Sequence, residues 1–227
     1  SIGGKTGVNT MHGKNLIGSF YQPKCILSDI VFLNTLPKRE WLCGMAEIVK
    51  YGVIGNIGLF ESIEDKIDNI KTFDGKTYSE IWLKLVSTSS MDKIKIVQED
   101  EKESGLREIL NYGHTFAHAI ETHYEYGTYL HGEAVAIGMV MAGYLSVLTN
   151  GLCIEDLNRL ELLLMNLGFD LHLNKIDPQQ LFDLLKHDKK VRSGKIRFVL
   201  PLSIGKVIVK EIDNEDLVIK AISKYIK

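Results

Sequence analysis

Residues 106–139 read LREILNYGHTFAHAIETHYEYGTYLHGEAVAIGM and hold four of the chain's seven histidines, His114, His118, His123 and His131. Two runs of apolar residues at helical spacing, Arg107–His123 and His131–Leu148, flank a turn at Gly127 and predict two helices. Gly113, Ala117, Ala119, Gly132, Ala134, Ala136 and Gly138 crowd the positions beside the histidines. Such small neighbours let two helix backbones approach closely and leave room for a ligand. Residues 107, 111, 114 and 118 follow the i, i+4, i+7, i+11 rhythm of a single helix stripe. Arginine, asparagine and two histidines on one stripe make a poor core and a good wall for a site.

His114 and His118 are four apart and share a helix face. Two imidazoles and a carboxylate can bind zinc and leave one coordination position open. Spacing alone offers Glu121 or Glu133 as that carboxylate, although HxxxH also arises by chance and a core histidine needs only a hydrogen bond. A second candidate wall lies earlier. Thr35-Leu36-Pro37 starts a helix, with threonine as its cap and proline in the first turn, where a missing N–H does no harm. Glu47 and Lys50 lie on one face of it. An exposed ion pair is the ordinary reading, but Gly44, Ala46 and Gly52 leave this helix unusually bare, which suits close contact.

Outward from these helices the pattern is plainer. The first residues, SIGGKTGVNTMHGKNLIGSFYQPKCILSD, read as a glycine- and asparagine-rich loop carrying Lys5, Lys14 and Asn15. Backbone N–H groups in such loops can form an anion-binding concavity. Neither a GxGxxG nor a Walker motif is present. A short strand is expected at Lys24–Leu27 and a connector at Phe32–Thr35. Helices follow at Asn56–Ile67 and Tyr78–Gln98, the latter with Lys93 and Lys95 on different faces, so at most one looks inward. The charge run Glu99–Glu103 reads as solvated. Glu155–Leu167 is amphipathic and stops at Gly168, and Asp177–Lys186 is capped by Asp177. A basic loop over residues 187–195 leads to a hairpin, Ile196–Leu200 with Lys206–Val209, and to a last helix at Asp213–Tyr225. The fold class is mainly α with one small β hairpin. No βαβ repeat appears, so a complete dinucleotide-binding domain is not expected.

The chain's 227 residues, 45% hydrophobic and 25% charged, are ordinary for a globular protein, and a net charge of −2 gives no reason to expect nucleic acid or an anionic membrane as partner. No apolar run reaches the roughly 18 residues of a membrane span, and no basic, apolar leader opens the chain. The three cysteines, Cys25, Cys43 and Cys153, are widely spaced and fit reduced thiols in a cytoplasm.

Seven motifs in order now carry a resemblance: GGKTGVN at Gly3–Asn9, GKNLIGSFYQP at Gly13–Pro23, TLPKRE at Thr35–Glu40, GMAEIVKYG at Gly44–Gly52, GLREILNYGHTFAHAIE at Gly105–Glu121, HGEAVAIGM at His131–Met139 and DKKVRSGKIRFVLP at Asp188–Pro201. Together they resemble 3-dehydroquinate synthase. The resemblance implies metal ligands at Glu47, His114 and His131, drawn from three helices, and moves His118 to handling phosphate and protons. Glu133 becomes a group that backs a ligand. Phosphate contacts are implied at Lys5, Asn15, Asn111, His118 and a lysine of the pair Lys189 and Lys190. Lys50, Lys93 and Arg107 match groups that hold the sugar hydroxyls and carboxylate. Lys5, Lys14, Phe32, Leu33, Asn34 and Thr35 match the neighbourhood of NAD.

The implied cofactors are NAD and Zn2+ or Co2+. The implied substrate is the phosphorylated sugar acid 3-deoxy-D-arabino-heptulosonate 7-phosphate, and the implied assembly a homodimer. The motifs match the last two thirds of that family's chain. Residues 1–36 are therefore expected to be a remnant of an NAD-binding domain with apolar surface uncovered, and residues 37–227 a helical metal- and substrate-binding domain. The expectation for the chain alone is zinc binding, weak NAD binding and little turnover. Other readings remain open here: another sugar-phosphate cyclase of the 2-deoxy-scyllo-inosose synthase type, a metal-dependent glycerol or alcohol dehydrogenase, or a metal-stabilised helical domain without catalysis.

Overall fold

A computed structural model describes residues 2–10, 13–71, 80–103, 105–124, 127–187 and 196–227, with backbone only for 9, 13–16 and 187. Strands β1 (Lys5–Thr10) and β2 (Gly13–Phe20) are followed by a 3-10 turn at Ile30–Thr35 and helices α1 (Lys38–Ile54), α2 (Ile57–Asp65), α3 (Ile67–Lys71) and α4 (Glu80–Glu99). A second 3-10 turn, Leu106–Asn111, leads into α5 (His114–His123) and α6 (His131–Leu148), then α7 (Ile154–Leu167) and α8 (Pro178–His187). Strands β3 (Ile196–Ser203) and β4 (Lys206–Ile212) and helix α9 (Glu215–Ser223) complete the order.

Helix α6 is the axis. It is apolar around its whole circumference, and such a helix has to be enclosed. Helices α1, α5, α7 and α9 and strand β3 all pack on it. By length and composition it is long and apolar enough to cross a membrane, contrary to the expectation that no run reaches that length, but 72% of it is buried inside the protein. Small residues set the spacing. A Cβ on Gly138 would overlap the Gly113 carbonyl, and one on Gly132 would overlap the backbone of Cys43. Helix α6 therefore lies almost backbone to backbone on both α5 and α1. Helix α7 adds Leu157, Leu160, Leu163, Leu164 and Leu167 to the core, each burial contributing roughly 2 kcal/mol.

Several expectations change. The N-terminal glycine- and asparagine-rich stretch is an antiparallel hairpin, with Lys5 opposite Phe20 and Val8 opposite Ile17. The described residues thus hold two hairpins where one was expected. Alternating Thr6, Val8 and Thr10 carry the β preference that the glycines obscure. Residues 24–27 form no strand among the described residues. Thr35 does not cap α1. Its Oγ1 donates to the Phe32 carbonyl at 3.1 Å inside the 3-10 turn, whose own cap is Asp29, and α1 begins behind Pro37. Arg107–His123 is not one helix: Gly113 takes φ +78° and separates the 3-10 turn from α5. Only glycine adopts that conformation without strain. The charge run is solvated only in part: Glu99, Glu101 and Lys102 are exposed, but Asp100 is not. Asp100 is buried, and its Oδ2 accepts from the backbone N–H of Gly105 at 2.8 Å and of Arg107 at 3.0 Å.

Candidate functional site

A cavity of about 640 Å³ lies where α1, α4, the second 3-10 turn and α5 converge, with Ile2 and Lys5 on its N-terminal side. Helix α1 contributes Glu47, Lys50 and Tyr51, and α4 contributes Ser89, Ser90 and Lys93. The 3-10 turn adds Arg107, Leu110 and Asn111, α5 adds His114 and His118, and α6 adds His131. The four stripe residues therefore share a wall although no single helix carries them. The left-handed step at Gly113 re-aims the chain and keeps them together.

One corner suits a metal ion. Ligand atoms of Glu47, His114 and His131 all lie within 4.8 Å of one another. Glu47 Oε1 stands 3.4 Å from His114 Nε2 and 3.7 Å from His131 Nε2. That oxygen is buried and accepts no hydrogen bond among the described residues. An orphaned buried carboxylate oxygen is costly, and a cation at the meeting point of these three groups would satisfy it. Two imidazole nitrogens and one carboxylate oxygen are a donor set that zinc takes, with an open position left for another ligand. His114 Nδ1 faces the Tyr112 carbonyl at 3.0 Å, and His131 Nδ1 faces Glu121 Oε1 at 3.3 Å.

The charges are coupled. Burial pushes the Glu47 carboxyl upward, but the nearby His114 ring, with the charge and hydrogen bond of Lys50, outweighs burial and holds it well below the usual carboxylate range. Lys50 is only 3% exposed, and its Nζ meets Glu47 Oε2 at 2.6 Å. The pair is therefore buried at its lysine end and half-buried at its carboxylate, not the exposed pair that its spacing suggests. Burial pushes the His114 imidazole down despite Glu47. Hydrogen bonding to Glu121 pushes His131 up, against burial.

The rest of the cavity is cationic. Lys93 faces inward while Lys95 is exposed. Burial pushes the Lys93 ammonium down, and the charges of Lys50, Arg107 and Lys5 push the same way. Arg107 is buried and donates to the carbonyls of Glu101 at 2.8 Å and Gly3 at 3.0 Å. Lys5 pairs with Glu103. Asn111 and His118 complete this wall, the His118 ring standing perpendicular to His114 at 5.9 Å.

Other expected residues lie elsewhere. Phe32, Leu33, Asn34 and Thr35 form the first 3-10 turn and do not line the cavity. Lys14 and Asn15 sit on β2, where only the backbone is described, and Lys189 and Lys190 lie outside the described residues. Glu133 does not back a ligand. It accepts two hydrogen bonds from Arg39, at 2.6 and 2.7 Å, and caps the Leu130 N–H at 2.8 Å. Glu121, offered by spacing as a ligand, instead faces Nδ1 of His131. Sequence reasoning missed Tyr51, Ser89, Ser90 and Glu103. Ser89 and Ser90 precede Lys93 by four and three residues, which places them on its face. Glu103 has φ +58°, which no spacing rule reveals.

Comparison with known proteins agrees with this geometry. Residues 44–191 match the family model described as 3-dehydroquinate synthase C-terminal, and residues 1–43 the one described as 3-dehydroquinate synthase N-terminal. A 3-dehydroquinate synthase of Prochlorococcus marinus (strain MIT 9303) is 47% identical over 224 residues, 99% of this chain and 60% of that protein. One from Dictyoglomus thermophilum is 48% identical over 96% of the chain and 60% of its own length. The chain thus spans about 60% of the curated relatives it matches. Among solved structures, a 2-epi-5-epi-valiolone synthase from Streptomyces hygroscopicus subsp. jinggangensis 5008, with NAD+ and Zn2+ bound, superposes with TM-score 0.87 at 25% identity, covering 99% of this chain and 61% of that one. A 2-deoxy-scyllo-inosose synthase complexed with carbaglucose-6-phosphate, NAD+ and Co2+ gives 0.81 at 28%, covering 98% and 61%.

Proposed function

The chain belongs to the 3-dehydroquinate synthase family, and from that premise we propose that its gene product converts 3-deoxy-D-arabino-heptulosonate 7-phosphate to 3-dehydroquinate and phosphate, a phosphorus–oxygen lyase reaction of aromatic amino acid biosynthesis. The observation that carries this reading is the junction of two features in one cavity: the Glu47, His114 and His131 corner and a wall of Lys50, Lys93, Arg107 and Lys5. A sugar acid that carries both carboxylate and phosphate needs a wall of that charge.

Bound in the site, a divalent ion would supply Lewis acidity toward a hydroxyl, and NAD a hydride acceptor. The chain's own residues do the rest. Glu47, His114 and His131 hold the ion, and Lys50 keeps Glu47 ionised. Lys93 and Arg107 take the carboxylate. Asn111, His118 and Lys5, with Asn15 and one of Lys189 and Lys190, take the phosphate, and His118 handles the proton at its oxygen. Gripping one molecule at both ends orients the reacting carbons and lowers the entropic part of the barrier. NAD lies near Lys14 and the turn Phe32–Thr35, and residues 1–36 belong to its domain. The enzyme is a cytoplasmic homodimer that binds neither nucleic acid nor membrane.

The test is phosphate release from the heptulosonate phosphate by the whole gene product with zinc and NAD. No release overturns the reading. Because solved cyclases with other substrates share the fold, glucose 6-phosphate is the second substrate to try, and release from it alone would favour an inosose synthase.

A further inference from the structure

We propose that Glu121 is the positioning residue of the metal corner, a buried carboxylate that holds the His131 ring in the tautomer and orientation that aim Nε2 at the ion. This rests on the reading of Glu47, His114 and His131 as ligands.

The two histidines are presented alike but held differently. His114 has a side chain 14% exposed, and its Nδ1 faces the Tyr112 carbonyl at 3.0 Å. A carbonyl only accepts, so Nδ1 carries the hydrogen and the Nε2 lone pair turns to Glu47. His131 is the first residue of α6 and its side chain is 47% exposed, so packing alone does not fix its ring. Facing its Nδ1 at 3.3 Å is Glu121 Oε1, on a side chain 7% exposed. An ionised carboxylate is also acceptor only, and it selects the same tautomer in His131 that the carbonyl selects in His114. Nδ1 and Nε2 lie on opposite edges of the ring. Glu121 therefore stands behind the ligand and cannot share its ion. Its negative charge also makes Nε2 a stronger donor to a metal. His114 and Glu121 are seven apart on α5, two turns along one face, so the helix that supplies one ligand also steadies another.

The experiment measures zinc affinity of the chain by chelator competition, for the parent, Glu121→Ala and Glu121→Gln. Glu121→Ala is expected to weaken binding about tenfold to a hundredfold. Glu121→Gln keeps the size and an acceptor but loses the charge, and should weaken it threefold or more. It decides the question alone where the alanine variant does not fold. Nitrogen-edited NMR of the histidine rings should show an Nδ1–H tautomer for His131 in the parent that Glu121→Ala loses. The absorption of Co2+ bound alone should shift as well. Zinc affinity of Glu121→Gln within threefold of the parent, with the His131 tautomer unchanged, overturns the proposal. His114→Ala separates the two readings. If it retains parental zinc affinity the metal corner itself is wrong, and if it loses zinc while Glu121→Gln does not, only the role of Glu121 fails.

Discussion

Glu47 offers Oε2 to the Lys50 ammonium at 2.6 Å and leaves Oε1 buried with no hydrogen bond among the described residues. Glu47→Ala should therefore act twice. It removes a ligand, and it leaves Lys50 buried without its counter-charge, a loss of about 3 kcal/mol. Denaturant melts of the metal-free protein should show that loss, whereas His114→Ala should remove zinc binding with a smaller effect. Lys93 presents the opposite case. Burial and three cationic neighbours lower its pKa in the folded state. Between that lowered value and 10.5 the unfolded chain binds the extra proton, so stability rises with pH through this window. The penalty is complete below the folded pKa. Lys93→Met should melt higher than the parent at pH 7, with the difference shrinking toward pH 10. The same variant of the whole gene product should bind the heptulosonate phosphate about tenfold more weakly, since a charge-assisted contact to its carboxylate contributes roughly 1.5–3 kcal/mol. A parent that melts higher at pH 7 would contradict this account of Lys93.

At the scale of elements, the metal corner depends on helices that touch backbone to backbone. Gly132 follows His131 and lies against the backbone of Cys43, one turn before Glu47 on α1. Gly132→Ala should push the start of α6 away from α1 and separate His131 from Glu47. Overpacking of this kind costs about 1–3 kcal/mol, and zinc affinity should fall even at temperatures where the variant stays folded. Arg39 and Glu133 clamp the same two helix starts together. Gly113 meets a different demand. Its φ of +78° is closed to most side chains, and an added Cβ would come within 2.8 Å of Met139 Cγ. Gly113→Ala should destabilise by about 3 kcal/mol or more through strain and overlap combined, and a thermal midpoint unchanged within a degree would refute the close approach.

For the whole molecule, a tightly held ion links the site to global stability. Free zinc at a thousand times its dissociation constant should add about 4 kcal/mol, a rise of roughly 8–16 °C in a chain of this length, and chelation should reverse it in a calorimetric scan. The features legible without coordinates are mostly local. Helices α6 and α7 are legible end to end, because their apolar periodicity, the small-residue run and Gly168 act within a few residues of one another. The motifs around Glu47, His114 and His131 carried the family with no coordinates at all. Features that depend on partners distant in the chain emerge only from the fold. Spacing could not tell whether Glu47 and Lys50 face water, because that depends on α4 and α5 closing over α1. It could not choose between Glu121 and Glu133, since two carboxylates near one histidine differ only in which lies behind its ring. It read Asp100 and Glu103 as solvated, because a charge run shows its own composition but not the backbone amides and the lysine that take its charges. Helical spacing also carried the stripe through Gly113, where one left-handed residue breaks the helix and still delivers Arg107, Asn111, His114 and His118 to one cavity. Local propensity and periodicity are short-range properties, whereas burial and the pairing of charges are settled only when distant segments pack.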